Sequence, residues 1–149
     1  MYTLKRTQVI PISIEEAWDF FSDPKNLSTI TPDEMNFVIK SEVPEKVHSG
    51  LIIKYKVSPL MNIPTTWVTE IKNVEAPHFF VDEQRFGPYA MWHHQHFFRE
   101  VEGGVEIMDE VNYKLPFGFL GKIMGGFVWK KVNSIFDYRH KKLEELFKQ

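Results

Sequence analysis

The 149-residue chain is the length of one domain, and with 43% hydrophobic and 26% charged residues it has the composition of an ordinary globular protein with enough apolar side chains for a real core. A net charge of −2, a pI of about 6.3 and lysines and arginines scattered among acids exclude the basic stripe of a nucleic-acid binder. No cysteine is present, which excludes disulfides, thiolate metal sites and a cysteine nucleophile.

The opening residues MYTLKRTQVI lack the apolar run of a signal peptide, and no stretch approaches the roughly 18 apolar residues of a membrane span. The expectation is a cytoplasmic protein without integral membrane association. Thr3 to Ile10 alternates and is rich in strand formers, so it is predicted as a first strand that Pro11 ends. Ser13 with Glu16 three residues on is a capping box, which predicts a helix over Ile14 to Phe21. Asp23-Pro24 breaks that helix and caps a second short one through Leu27, closed by Thr31-Pro32.

Strands then follow in series. The pattern predicts them at Asn36 to Lys40, Leu51 to Ser58, Thr65 to Val74, His78 to Arg85, Tyr89 to Arg99 and Val105 to Lys114. Turns fall at Ser49-Gly50, Phe86-Gly87-Pro88 and Glu102-Gly103-Gly104. From about Phe119 to Phe147 the period becomes helical, with Met124, Val128, Val132, Ile135, Phe136, Leu143 and Leu146 on one stripe. Gly125-Gly126 weakens its start, so a regular helix is expected only after Gly126, and GFLGKIMGG is either a pocket mouth or a loose helix start. The doublets Lys130-Lys131 and Lys141-Lys142 share this helix with Glu144 and Glu145, as on a solvated face.

The order predicts an α+β fold: a curved antiparallel sheet of six to seven strands around a long C-terminal helix, with two short helices after the first strand. A helix of roughly 40 Å is the only cover for the sheet's buried face, and one helix cannot fill a wide concavity. An internal hollow is the expected consequence.

Three phrases resemble the START-related, Bet v 1-like superfamily (SRPBCC) over essentially the whole chain: EEAWDFFSDPKNLSTITP at Glu15 to Pro32, VDEQRFGPYAMWHHQHFF at Val81 to Phe98, and DEVNYKLPFG at Asp109 to Gly118. They are most similar to a bacterial subgroup with the pattern D-x-Q, G-P, W-x-H-x-H-x-F and D-x-V-x-Y. The resemblance implies the helix-grip fold and binding of lipids, sterols, polyketides or hormones, with cyclisation or dehydration in a minority. Relatives of the subgroup are sometimes joined to a nucleotide-sugar-epimerase-like domain or labelled cell-division inhibitor; neither label finds support in these residues.

Period two places Trp92, His94, His96 and Phe98 on the inner face of their strand, and Phe80, Asp82 and Gln84 on one face of the strand before it. A turn at Glu102-Gly103 sets His96 opposite Asp109; a turn at Gly103-Gly104 sets Phe98 there instead. The turn at Gly87-Pro88 sets Asp82 opposite His94 or Trp92. Asp82, Gln84, His94, His96 and Asp109 therefore converge on an otherwise apolar face, where each polar group needs a partner.

One reading of the cluster is a self-satisfied network that fixes register. Another leaves a free donor for a ligand's oxygen, with Tyr55, Trp67, Trp92, Phe98 and Tyr113 around its apolar body. A third makes His94 or His96, oriented by Asp109, a general acid–base dyad. His94, His96 and Asp109 also offer a metal two imidazoles and a carboxylate, but H-x-H on a strand is weak evidence, and the second carboxylate argues for plain hydrogen bonding, so no metal or other cofactor is expected. Arg139, inside the apolar stripe, is expected to pair with Asp23 or Asp82. His48, His78, His93 and His140 are expected at the surface.

Gly103-Gly104 and Gly125-Gly126 lack phosphate-loop spacing, and Ser58 and Ser134 lack a nucleophile elbow. Three functions stay open: a carrier of a small hydrophobic or amphipathic molecule, a cyclase or dehydratase using the His-Asp cluster, and an accessory domain that binds a protein through outer residues such as Phe79 or Phe97. The carrier is expected to be a monomer or homodimer.

Overall fold

Ser13 stops the first strand's direction and starts a helix. Its hydroxyl accepts from the Glu16 backbone N–H at 3.1 Å, so β1 (Tyr2–Ile10) gives way to α1 (Ile14–Phe21) as the capping pattern predicts. In the computed structural model, which describes residues 1–59 and 62–148, Asp23 caps a 3₁₀ turn at Pro24–Ser28 and a second follows at Asp33–Met35. The strands are β2 (Val38–Ile39), β3 (Ile52–Val57), β4 (Thr65–Glu75), β5 (Phe79–Phe86), β6 (Met91–Val101) and β7 (Gly104–Lys114), and α2 (Phe119–Leu146) closes the chain.

All seven strands form one antiparallel sheet in the order β1-β7-β6-β5-β4-β3-β2. Register shifts interrupt the β4–β5 ladder between Val68 and Thr69 and between Lys72 and Glu75, with Asn73 in the left-handed region at φ 51°. Such irregularities add local twist and bend, and here they curl the sheet toward α2. This is the α+β, helix-grip arrangement expected.

Two elements differ from expectation. The strand expected at Asn36–Lys40 shrinks to two residues, because Asn36 takes a left-handed conformation (φ 51°) and ends the preceding turn. The long helix begins at Phe119, ahead of Gly125-Gly126 rather than after it. A β-carbon at Gly125 would overlap the Tyr2 hydroxyl, so glycine lets β1 approach the helix closely, and this packing offsets its low helix propensity. The GFLGKIMGG stretch is accordingly helical from Phe119.

The inner face fills unevenly. At one end Trp18 of α1 stands edge-on to Phe80 and Phe98 at 5.8 and 5.9 Å, with Ile10, Val105 and Leu143 packed around them. At the other end Val128, Val132 and Phe136 of α2 cover Leu4, Val111 and Tyr113. Met124 and Leu146, assigned to the same stripe, lie toward the two ends of α2 and are 40% and 42% exposed.

Candidate functional site

Gly103, at φ 91°, lets Glu102-Gly103 form the two-residue turn between β6 and β7. That turn sets His96 opposite Asp109, and the β5–β6 ladder sets Asp82 opposite His94, as the hairpin spacing allows. The hydrogen bonds run diagonally across these pairs. His94 Nε2 meets Asp109 Oδ1 at 2.7 Å, and His96 Nε2 meets Asp82 Oδ2 at 2.5 Å. The two imidazoles stack on each other with centroids 3.8 Å apart, and Phe80 stacks on His96 at 4.1 Å.

Each ring thus bridges the same two carboxylate oxygens. His94 Nδ1 lies 3.5 Å from Asp82 Oδ2, and His96 Nδ1 lies 3.6 Å from Asp109 Oδ1, both too long for good hydrogen bonds. Arg139 comes down from α2 to Asp109, at 3.4 Å from Nη1 to Oδ1, rather than to Asp23 or Asp82. Its position along the helix places it above β7. Its guanidinium lies 4.7 Å from the centre of the Phe136 ring, and its Nε has no hydrogen-bond partner among the described residues.

Burial pulls the Asp109 carboxyl upward, but the His94 hydrogen bond and the Arg139, His94 and His96 charges outweigh it and hold the group well below its ordinary pKa. Asp82 is shifted down in the same way: burial opposes, and the charges of His94, His96 and Arg139 with the His96 hydrogen bond prevail. His96 is pushed down by burial and by its neighbour His94, which its bond to Asp82 only partly offsets. Burial and the nearby Asp82 charge push Tyr55 far up, so it remains a neutral phenol.

A cavity of about 170 Å³ lies between the sheet and α2. Its walls are mostly apolar: Phe21 and Leu27 from the helical entry, Met35, Trp67 of β4, and Ile135 and Phe136 of α2. Asp82, His94, His96 and Arg139 form its polar end. A second polar point is Thr69, whose hydroxyl oxygen accepts from Trp67 Nε1 at 3.0 Å and shares a 3.0 Å contact with the Tyr55 hydroxyl. Whichever hydroxyl donates in that contact, the other keeps a hydrogen to offer elsewhere.

Of the residues the sequence brings forward, Tyr55, Trp67, Asp82, Trp92, His94 and His96 line the cavity. Four do not. Asp109 sits behind the imidazoles, next to a minor crevice between β1, β7 and α2. Phe98 is taken up by Trp18, Phe21 and Phe80. Tyr113 is fully buried beneath Tyr2 and Trp92, with its hydroxyl unpartnered among the described residues. Gln84 closes the β5–β6 turn, accepting from the Tyr89 backbone N–H at 2.9 Å and donating to the Tyr89 carbonyl at 2.7 Å. A carboxamide facing a Gly-Pro turn is the signal that marks that structural role.

Thr69 and Arg139 are cavity residues that alternation and the helical stripe place inside without assigning them to the ligand wall. On the outer face Phe79 and Phe97 pack against each other, tilted, with centroids 4.8 Å apart and are half-buried, while α1 packs inside through Trp18. His48, His78 and His140 are exposed, and His93 is half-buried.

No protein-family model matches the sequence, and no curated protein matches it. Solved structures do match. A protein from Mycobacterium smegmatis is 16% identical and covers 97% of this chain and 89% of its own, with a TM-score of 0.71. One from Chromobacterium violaceum is 14% identical, with 100% and 99% coverage and a TM-score of 0.73. A nucleoside-diphosphate sugar epimerase from Corynebacterium glutamicum is 21% identical over 95% of this chain but only 28% of its own, with a TM-score of 0.68. The shared property is the fold. At such identities the likeness extends to architecture and not to chemistry.

Proposed function

We propose that this chain is a START-related, Bet v 1-like protein that binds one small amphipathic molecule between its sheet and α2. The cavity carries the reading: about 170 Å³, with mostly apolar walls, a polar cluster at Asp82, His94, His96 and Arg139, and a few further polar points such as Thr69. An engineered apolar cavity of about 150 Å³ holds a benzene molecule, so the space suits a ligand of one or two rings better than a sterol or a two-chain lipid. Such a ligand would lay its apolar body against Trp67 and Phe136 and turn a hydrogen-bond acceptor toward Arg139 or the Tyr55–Thr69 pair.

Native mass spectrometry of freshly purified protein, followed by tryptophan-fluorescence titration with small aromatic alcohols, ketones and acids, tests this. Trp67 and Trp92 both line the cavity, so occupancy alters their emission. Saturable binding that Thr69→Val weakens several-fold is the expected result. An empty chain that no compound quenches saturably would remove the carrier reading.

A second reading rests on the 2.7 Å bond from His94 to Asp109, which turns the other ring nitrogen of His94 toward the cavity's polar end as in an acid–base dyad. It predicts proton transfer on a bound carbonyl compound. Hydrogen–deuterium exchange at that compound's α-carbon, catalysed by the protein and lost in His94→Gln, is the measurement; exchange at the uncatalysed rate excludes it.

A further inference from the structure

Two stacked imidazoles span the gap between Asp82 Oδ2 and Asp109 Oδ1, and the two ends of that span differ. At the Asp109 end His94 Nε2 at 2.7 Å and Arg139 Nη1 at 3.4 Å reach one oxygen, and His96 Nδ1 lies farther off at 3.6 Å. At the Asp82 end lie His96 Nε2 at 2.5 Å and His94 Nδ1 at 3.5 Å. Asp109 stands behind the rings, whereas Asp82, His94 and His96 all face the cavity.

With Nε2 bonded to Asp109, the other ring nitrogen of His94, Nδ1, is turned toward Asp82 Oδ2 at 3.5 Å, too long for a good hydrogen bond. An imidazole nitrogen and a carboxylate oxygen facing each other at that spacing are a donor set for a metal cation. The local charge points the same way. Beside the two imidazoles, two carboxylates share one guanidinium in a largely buried site.

We infer that Asp82, His94 and His96 form a binding site for one zinc-class divalent cation at the polar end of the cavity. Their donor atoms lie within 4.8 Å of one another, and two imidazoles with one carboxylate suit zinc, cobalt(II) or iron(II). In the metal-bound form His96 coordinates through Nε2 and carries its proton on Nδ1, facing Asp109. Asp109 then receives an N–H from each ring and holds both in the ligating tautomer, with Arg139 bracing it from α2. The carboxylate that alternation pairs most directly with the histidines is thus the bracing one, and Asp82 is the ligand. The remaining coordination positions open into the cavity, where water or an oxygen of a bound molecule completes the shell. A divalent ion also adds positive charge there, so the loaded site favours an anionic oxygen such as a carboxylate.

The site does not depend on the cavity's organic occupant, and its test uses none. Chelator-stripped full-length protein is titrated with zinc by calorimetry and with cobalt(II) by visible absorption. One ion per chain is expected, with intense cobalt ligand-field bands typical of low coordination number. Asp82→Asn and His96→Gln should each weaken binding at least about 100-fold, and Asp109→Asn about 10- to 100-fold with the bands retained. His93→Gln, on the outer face, should change nothing. Where a variant loses its near-ultraviolet dichroism, cobalt-induced paramagnetic shifts of the Trp92 and Phe136 protons in the unaltered protein place the ion instead. No stoichiometric binding, binding that survives both ligand substitutions in folded protein, or an ion that leaves Trp92 and Phe136 unshifted would overturn the site.

Discussion

On β5 and β6 an acid and an imidazole meet on both faces of the same two strands. Outside, Glu83 Oε2 lies 3.6 Å from His93 Nδ1, with both side chains about one-third exposed, at 30% and 32%. Inside, Asp82 Oδ2 lies 2.5 Å from His96 Nε2, at 18% and 11% exposure, and the cluster continues to His94, Asp109 and Arg139. Each pair joins a carboxylate to an imidazole across the same two strands, and the two differ most in their exposure to solvent. Outside, water and salt screen the attraction, and Lys72 at 3.2 Å competes for Glu83. Inside, each group lost leaves others unpaired, so the inner pair is costly to break even if its net contribution is small.

The sharpest way to break the comparison is Asp109→Ala. It strips His94 and Arg139 of their carboxylate in a buried setting, and a loss of about 3–5 kcal/mol in urea denaturation is expected. An outer substitution of equal effect would void the contrast.

Acid is the next probe, applied to metal-free protein. His96 has a folded pKa below its unfolded value of about 6.5, so the unfolded chain takes up the proton first and stability falls as pH drops below that value. Asp109 has a folded pKa below its unfolded value of about 3.9, so its contribution is complete above that pH and is lost as pH falls toward the folded value. Urea midpoints should therefore decline in two stages, the first as pH falls below about 6.5 and the second as it falls below about 3.9, and Asp109→Asn should reduce the second, to which Asp82 also contributes. A midpoint constant across both ranges would mean the cluster is uncoupled from folding.

Tyr113→Phe should change stability by no more than about 1 kcal/mol, because the hydroxyl it removes is buried without a partner among the described residues. Glu83→Gln should have the smallest effect, within about 0.5 kcal/mol, and smaller still in high salt. A salt-insensitive loss would show that the outer pair is not screened.

Much of this could be anticipated from residue order. Alternation in Met91–Arg99 separates His94 and His96 from His93, and the two-residue turn at Glu102-Gly103 decides the register with Asp109. What period and turn length omit is how side chains lean between facing strands, so the diagonal bonds emerge only in three dimensions. Arg139 shows the same limit on a helix: a stripe specifies its face but not its height above the sheet, which decides between Asp82 and Asp109. Gln84 points inward by count, but it lies close to the turn after β5, where the nearest backbone groups claim its amide. The hollow itself was legible only as a mismatch between one helix and a wide sheet. Its six sequence-nominated wall residues were separable from Phe98 and Tyr113 only once Trp18 and Tyr2 had taken their places.

The first strand and the last helix are sewn together. Arg6 reaches Asp137 at 2.8 Å, Gln8 donates to the His140 carbonyl at 2.9 Å, and Tyr2 rests against Gly125. These links join residues more than a hundred positions apart, so loops spanning most of the chain must close before they can form. During synthesis β1 waits for β7 and then for α2, and until that helix clears the ribosome the chain is an open trough. The interior is therefore roofed only when α2 docks, so the hollow is a product of the last contacts to form.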